Sequence, residues 1–328
     1  GRLNTPTLAR IRSIHETLKP YVIKTPVLGV TSSEICAELG AEVVLKLELM
    51  QRTGTFKYRG ALNNLLNRAD LDAGITAVSA GNHAVATACA ASQLGVDAKV
   101  VMQASANPAR RALAASYGAE LIFENTGAEA FATAEHLVQE EGRAMIHPFD
   151  GAYVAEATAG VGLEFIEDAP DLDAVVVSVG GGGLIGGVAC AVKQLRPGCA
   201  VYGIEPEGAS GMLQSLRKGR ALEQVEFNTV ADSLGPPMTT PYTYEMTKRF
   251  VDEVVTVSDD EILRAVYTTF SELKLAVEPA GATALAGALG PLRRVLHGKK
   301  VGLLVCGSCI DAKTFAGLLA QGQALQSG

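Results

Sequence analysis

The stretch Ser178-Val179-Gly180-Gly181-Gly182-Gly183-Leu184-Ile185-Gly186-Gly187 decides the fold class of this 328-residue chain. It follows Asp173-Ala174-Val175-Val176-Val177, whose short apolar run reads as a buried strand. It precedes Val188-Ala189-Cys190-Ala191-Val192-Lys193-Gln194-Leu195, which reads as a helix ending before Arg196-Pro197-Gly198. Glycines at a strand-to-helix switch expose successive backbone N–H groups that no Cβ shields. Together with the helix N-terminus they form a cradle for a phosphate. A tightly packed turn is the competing reading, but four consecutive glycines carry a large backbone entropy penalty. No Lys-Ser/Thr follows, so the nucleoside-triphosphate loop pattern is absent, and no acidic residue ends a second strand as a dinucleotide site requires.

Outward from this switch, strand and helix alternate along nearly the whole chain. Strands are expected at 42–49, 75–79, 98–102, 120–123, 174–179, 200–205, 254–257 and 301–306. Helical patterns fall between them at 84–94, 109–117, 128–141, 153–167 and 259–273. This order predicts an α/β protein with open, mostly parallel twisted sheets covered by helices on both faces. Residues 1–47 and 150–328 are expected to form a large domain, with 48–149 as a small inserted one. The crevice between them is the expected ligand site.

Two further segments carry chemistry. Thr53-Gly54-Thr55-Phe56-Lys57-Tyr58-Arg59-Gly60-Ala61 opens a helix after the strand-like 43–49 run. Lys57 falls in its first turn, where the helix dipole disfavours an ammonium and favours a neutral, imine-forming amine. From this segment alone a solvated lysine is the commoner reading. Ser79-Ala80-Gly81-Asn82-His83 follows the short strand Ile75-Thr76-Ala77-Val78 and offers side chains and N–H groups at its carboxyl end, where ligands of open α/β sheets bind. His83 reads equally well as a capping or core histidine and as a catalytic one.

Five motifs occur in order: Thr-Phe-Lys-Tyr-Arg-Gly-Ala (55–61), Ser-Ala-Gly-Asn-His (79–83), the glycines 180–183, Glu278-Pro279-Ala280-Gly281-Ala282 and Cys306-Gly307-Ser308. The chain thereby resembles the threonine/serine dehydratase and serine racemase family of fold type II (tryptophan-synthase-β-like) pyridoxal-phosphate enzymes. The resemblance implies that Lys57 carries pyridoxal 5'-phosphate as a Schiff base and that Gly180, Gly181, Gly182 and Gly183 hold its phosphate. It implies that Phe56 lines the ring, Asn82 contacts the phenolic oxygen and Cys306 faces the pyridine nitrogen. The substrate carboxylate is expected on the turn of Ser79, Ala80, Gly81, Asn82 and His83. The implied reaction is β-elimination from a 3-hydroxy amino acid (serine, threonine or a bulkier one such as an aryl serine) to a 2-oxo acid and ammonia. The cofactor's phosphate is the implied proton source for the leaving hydroxyl.

Competing functions are a racemase, a β-replacement synthase, or a binding protein that kept the fold and lost catalysis. Racemases resembling this chain place a proton-donating serine where Ala80 stands, and a methyl group cannot donate a proton. Glu205 and the Ala209 carbonyl match a segment that binds a divalent ion in some relatives, but Gly211 replaces a second carboxylate there. Mg²⁺ or another cation is therefore a second candidate ligand, short of one oxygen donor. The loop 231–241, stiffened by Pro236 and Pro237, should border the side-chain pocket; it is unlike the corresponding loops of plain threonine dehydratases, which favours a non-standard 3-hydroxy amino acid. No added arginine is evident in the sequence to receive a second substrate carboxylate.

Composition agrees with a soluble enzyme. Hydrophobic residues make up 48% and charged ones 19%, enough for a sizeable core. The net charge of −7 argues against nucleic acid or an anionic membrane as partner. No apolar run reaches the ~18 residues that cross a bilayer. Gly1-Arg2-Leu3-Asn4-Thr5 shows no signal-peptide pattern, and the chain after Cys306 leaves no room for an effector domain. Cys306 and Cys309 have Cys-x-x-Cys spacing, yet no second Cys/His pair completes a zinc site. All six cysteines are expected reduced in a cytoplasmic protein, and the family resemblance implies a homodimer.

Overall fold

A computed structural model describes residues 3–326. Gly1, Arg2, Ser327 and Gly328 lie outside the described residues, and with them the first two positions read above for a leader. Ten strands form two sheets. They are β1 (Val27–Gly29), β2 (Glu42–Lys46), β3 (Ile75–Val78), β4 (Ala98–Gln103), β5 (Glu120–Glu124), β6 (Ala144–Met145), β7 (Ala174–Ser178), β8 (Ala200–Pro206), β9 (Glu253–Val257) and β10 (Lys300–Leu304).

The six-stranded sheet has the order β1-β2-β10-β7-β8-β9, and the four-stranded sheet the order β5-β4-β3-β6. Only β1 runs antiparallel to its neighbour. All eight expected strands are present. β1 and β6 were not expected, because three and two residues are too few to show a period. The strand expected to reach residue 49 stops at Lys46, and a single 3₁₀ turn follows at Glu48–Met50.

β7 is buried at all five positions, which explains its unbroken apolar run. In register, Val176 lies between Tyr202 of β8 and Leu303 of β10. The Ala152–Asp168 helix packs closely on this centre: a Cβ on Gly302 would fall 2.5 Å from Phe165 Cζ. Helix ends follow local chemistry. Asn107 caps Pro108–Ser116, Thr126 caps Gly127–Glu141, and Ser258 forms a capping box with Glu261. Among the described residues no helix is long and apolar enough to cross a membrane.

A buried ionic group ties the Lys57–Leu66 helix to the rest. Lys46 Nζ donates to Glu164 Oε1 at 2.8 Å, and Arg59 Nη1 donates to Glu164 Oε2 at 2.8 Å. Arg59 also pairs with Glu48, which accepts from Thr25 Oγ1 at 2.7 Å. Lys46, Glu48, Arg59 and Glu164 are fully buried, and their charges balance. Burial alone would raise the Glu164 carboxyl, but hydrogen bonds from His15 and Arg59 hold it well below the usual carboxylate range. The turn after β2 is set by this group, since Glu48 must turn inward to meet Arg59.

Candidate active site

Lys57 is the first residue of the Lys57–Leu66 helix. The segment before it is zipped to the end of β10: Phe56 N–H donates to the Cys306 carbonyl, and Ser308 N–H donates to the Gly54 carbonyl at 2.8 Å. Thr55 bridges Gly307 across the same seam. This pairing brings Lys57 and Cys306 to one place despite their distance in sequence. Lys57 Nζ donates to the Pro148 carbonyl at 3.0 Å. Desolvation pushes its amine down to about 8, against an upward pull from Cys306 and Glu278. Burial leads, where the sequence pointed to the helix dipole.

The glycines do what their sequence position requires. Gly183 opens the Gly183–Leu195 helix, and Gly182 has φ +94°. A Cβ on Gly181 would lie 2.1 Å from Phe149 Cγ, and one on Gly183 would lie 2.8 Å from the Phe149 carbonyl oxygen. Among the described residues no protein group accepts from the N–H groups of Gly180 to Gly183. Asn82 Oδ1 is buried and likewise has no partner among them. Four bare amides at a helix N-terminus beside a desolvated lysine fit a phosphorylated aldehyde.

One cavity is lined by Phe56, Lys57, Asn82, Gly180, Gly181, Gly182, Gly183 and Cys306. Phe149, Ser178, Leu184, Ser233, Leu234, Glu278 and Ala280 complete its wall. Ser178 Oγ donates to Cys306 Sγ at 3.3 Å, and Cys306 Sγ donates to the Ala280 carbonyl at 3.4 Å. Burial pushes the Cys306 thiol up to about 12, so it stays neutral. Glu278 Oε1 accepts from Asn82 Nδ2 at 2.8 Å, and Glu278 Oε2 accepts from Arg110 Nη2 at 3.1 Å. Burial pushes the Glu278 carboxyl up to about 7, although Arg110 and Asn82 favour its charged form.

The profile of the family described as "Pyridoxal-phosphate dependent enzyme" matches residues 18–307. The chain belongs to this family. It is 48% identical over 319 residues to a phenylserine dehydratase of Ralstonia pickettii, covering 97% of each protein. It is 37% identical to an L-threonine ammonia-lyase of Thermotoga maritima, covering 96% of this chain and 79% of that one. The solved maize serine racemase superposes with a TM-score of 0.89 at 32% identity, covering 97% of this chain and 99% of that one. The fold is that of the fold type II pyridoxal-phosphate enzymes, and pyridoxal phosphate is the cofactor.

Of the turn expected to receive the substrate carboxylate, Asn82 lines this cavity. Ser79, Ala80, Gly81 and His83 lie beside it without lining it. Ser79 Oγ accepts from the Gly81 N–H at 3.1 Å, which shapes the turn. The His83 imidazole makes a 2.9 Å hydrogen bond to the Ile146 carbonyl, and burial pushes it down to about 3. Its side chain is neutral and packs in the interior. Gln51 is buried and bonded to Ile23 and Glu48, and Arg52 donates to the Tyr21 carbonyl.

Both oxygens of Glu205 accept main-chain N–H groups, from Met212 at 2.8 Å and Leu213 at 2.7 Å. Glu205 thus serves the start of the Gly211–Lys218 helix, and Ala209 is buried nearby. At Gly211 a Cβ would lie 3.0 Å from Val225 Cγ2. Among the described residues no group of three or more His, Cys, Asp or Glu is arranged to hold a metal.

Glu278, Ser178 and Phe149 in the cavity wall, and Arg110 behind it, are among the residues to which the sequence assigned no role. Glu278 stood inside a recognised motif, and Ser178 stood at the end of the strand before the glycines. Arg110 had no local signal at all.

Proposed function

We propose that this enzyme deaminates, by way of dehydration, a 3-hydroxy amino acid with a bulky, aryl-type substituent. The Cα–H and Cβ–OH bonds break, water leaves, and hydrolysis of the released enamine returns water to give a 2-oxo acid and ammonia. Pyridoxal phosphate, when bound, supplies the electron sink that makes the Cα–H of an amino acid removable.

The chain's own residues supply the rest. Gly180, Gly181, Gly182 and Gly183 bind the phosphate through their N–H groups, and Phe56 packs against the ring. Lys57 Nζ, lowered to about 8 by desolvation, is the base placed to take the Cα proton. Asn82, held by Glu278, would contact the phenolic oxygen. Cys306, a buried neutral thiol, would face the ring nitrogen and would place no charge beside it. The carboxylate of the substrate is received by the main chain of Ser79, Ala80, Gly81, Asn82 and His83. Residues 48–149 act as a small inserted domain, a division supported by β3 to β6 all falling within it. The six free cysteines support a reducing, cytoplasmic setting, and the family resemblance supports a homodimer.

The observation that carries this reading is the desolvated Lys57 amine in a cavity walled by four unpaired glycine amides. The apolar walls Phe149 and Leu234, and the likeness to phenylserine dehydratase, favour the aryl substrate. A panel of serine, threonine and aryl serines, scored for 2-oxo acid release by a yellow, borohydride-reducible protein, tests it. Highest kcat/KM on an aryl serine is expected. Conversion mainly to the D-enantiomer, or a product that needs an added nucleophile, would overturn it.

A further inference from the structure

Arg110 sits in the first turn of the Pro108–Ser116 helix, between β4 and β5 of the four-stranded sheet. A cation there opposes the helix dipole, so its retention needs another source of stabilisation. All three guanidinium nitrogens are engaged, and every partner belongs to the other half of the molecule. Nε donates to the Cys309 carbonyl, Nη1 to Asp232 Oδ2 and Nη2 to Glu278 Oε2, each at 3.1 Å. The same helix reaches across a second time, through Asn107 Nδ2 to Asp311 Oδ1 at 3.1 Å. The guanidinium also lies against the 79–83 turn, since a Cβ on Gly81 would fall 2.8 Å from Nη1.

We propose that Arg110 is a positioning residue for the elimination. Its planar fork joins Glu278 to Asp232, so that Glu278 holds Asn82 in place and the 232–234 segment is drawn against the cavity. This rests on the reading of that cavity as the active site. Arginine suits the task because its donors are fixed in one plane, whereas a lysine is a single point charge. Charged and titratable groups face Glu278 from every side: Arg110, Asp232, Lys57, Cys306 and Cys309. Arg110 is the cation bonded directly to it. Removing the guanidinium leaves a buried carboxyl with Asn82 as its remaining donor, and the proton stays on Glu278 to higher pH.

Three variants test this, with Arg111→Met as the neighbouring control. In Arg110→Met, kcat should fall at least tenfold and the acid limb of kcat/KM should move upward by a pH unit or more. The visible band of the bound cofactor should show the same shift in its own pH titration, a readout independent of turnover. In Arg110→Lys the charge stays and the fork is lost, so kcat should fall at least threefold with the acid limb unmoved. In Glu278→Gln the acid limb should vanish from the cofactor titration. Arg111→Met should match wild type.

Wild-type kcat and an unmoved limb in Arg110→Met would overturn the proposal, as would equal losses in both arginine variants tracking a lowered Tm. If Arg110→Met does not fold, Arg110→Lys decides alone: wild-type kcat there overturns it. A wild-type protein that releases no 2-oxo acid from any substrate sinks the reading of the reaction instead. The cofactor titrations then still decide the role of Arg110.

Discussion

At the scale of single residues, the chemistry concentrates on one amine. Replacing Lys57 by alanine should lower turnover by at least about a thousandfold and abolish borohydride trapping of the cofactor. Unchanged turnover would refute its role. Because the amine sits at about 8 in the free protein, its neutral fraction shrinks as pH falls below that value. Cofactor uptake by the apoprotein, followed by the growth of visible absorbance, should slow about tenfold per pH unit under pH 7. A pH-independent uptake rate would contradict that assignment. Ala80 offers a sharper test of reaction choice. Ala80→Ser introduces a hydroxyl where a methyl cannot donate a proton, and the ratio of D-amino acid to 2-oxo acid formed should rise. Lys57 and the glycines were legible in sequence because each sits in a motif whose neighbours explain it. Glu278 and Arg110 were not, because their meaning arises only when helices from different sheets meet.

At the scale of elements, two seams hold the site. The first is the contact of the glycine loop with Phe149. Gly181→Ala places a methyl 2.1 Å from Phe149 Cγ, an overlap that the ring must yield to. Such overpacking costs about 1–3 kcal/mol, so the cofactor's dissociation constant should rise about tenfold. Phe149→Ala in the same protein should restore much of that loss; no restoration would place the strain elsewhere. The second seam is the buried ionic group under the Lys57–Leu66 helix. Arg59→Met strands Glu48 and Glu164 without their shared cation, which should destabilise the protein by about 3–5 kcal/mol. Denaturant unfolding at neutral pH measures it, and a loss below about 1 kcal/mol would show that the carboxylates find other partners. The strands expected from apolar runs were found, while β1 and β6 went unseen because pairing partners create them, not their own pattern. The early end of β2 was hidden for a related reason: the sequence shows Glu48 continuing an alternation, and only the fold reveals that Arg59 draws it inward.

At the scale of the whole molecule, the sequence foretold parallel sheets covered by helices and left open how the two sheets are fastened together. The interior holds acidic groups with opposite pH signatures. Glu205 and Glu278 have carboxyls raised by burial to about 8 and about 7, from an ordinary value of 4.5. Groups with raised folded values contribute stability that is complete below 4.5 and is lost as pH rises through 7 and then 8. Glu164, held low, has the reverse sign: its contribution is present above 4.5 and is lost on acidification. Lys57 opposes the raised carboxyls weakly, since its contribution is lost as pH falls through about 8. The apoprotein should therefore lose Tm between pH 5 and 8, and Glu205→Gln should flatten part of that slope whatever its absolute Tm. Parallel slopes in the two proteins would show that the carboxyl is not held neutral. The same pair settles the cation: Mg²⁺ that raises wild-type Tm at pH 8 and leaves Glu205→Gln unmoved would mean that a metal can displace the two main-chain donors. Equal responses would leave Glu205 as the cap of its helix and nothing more.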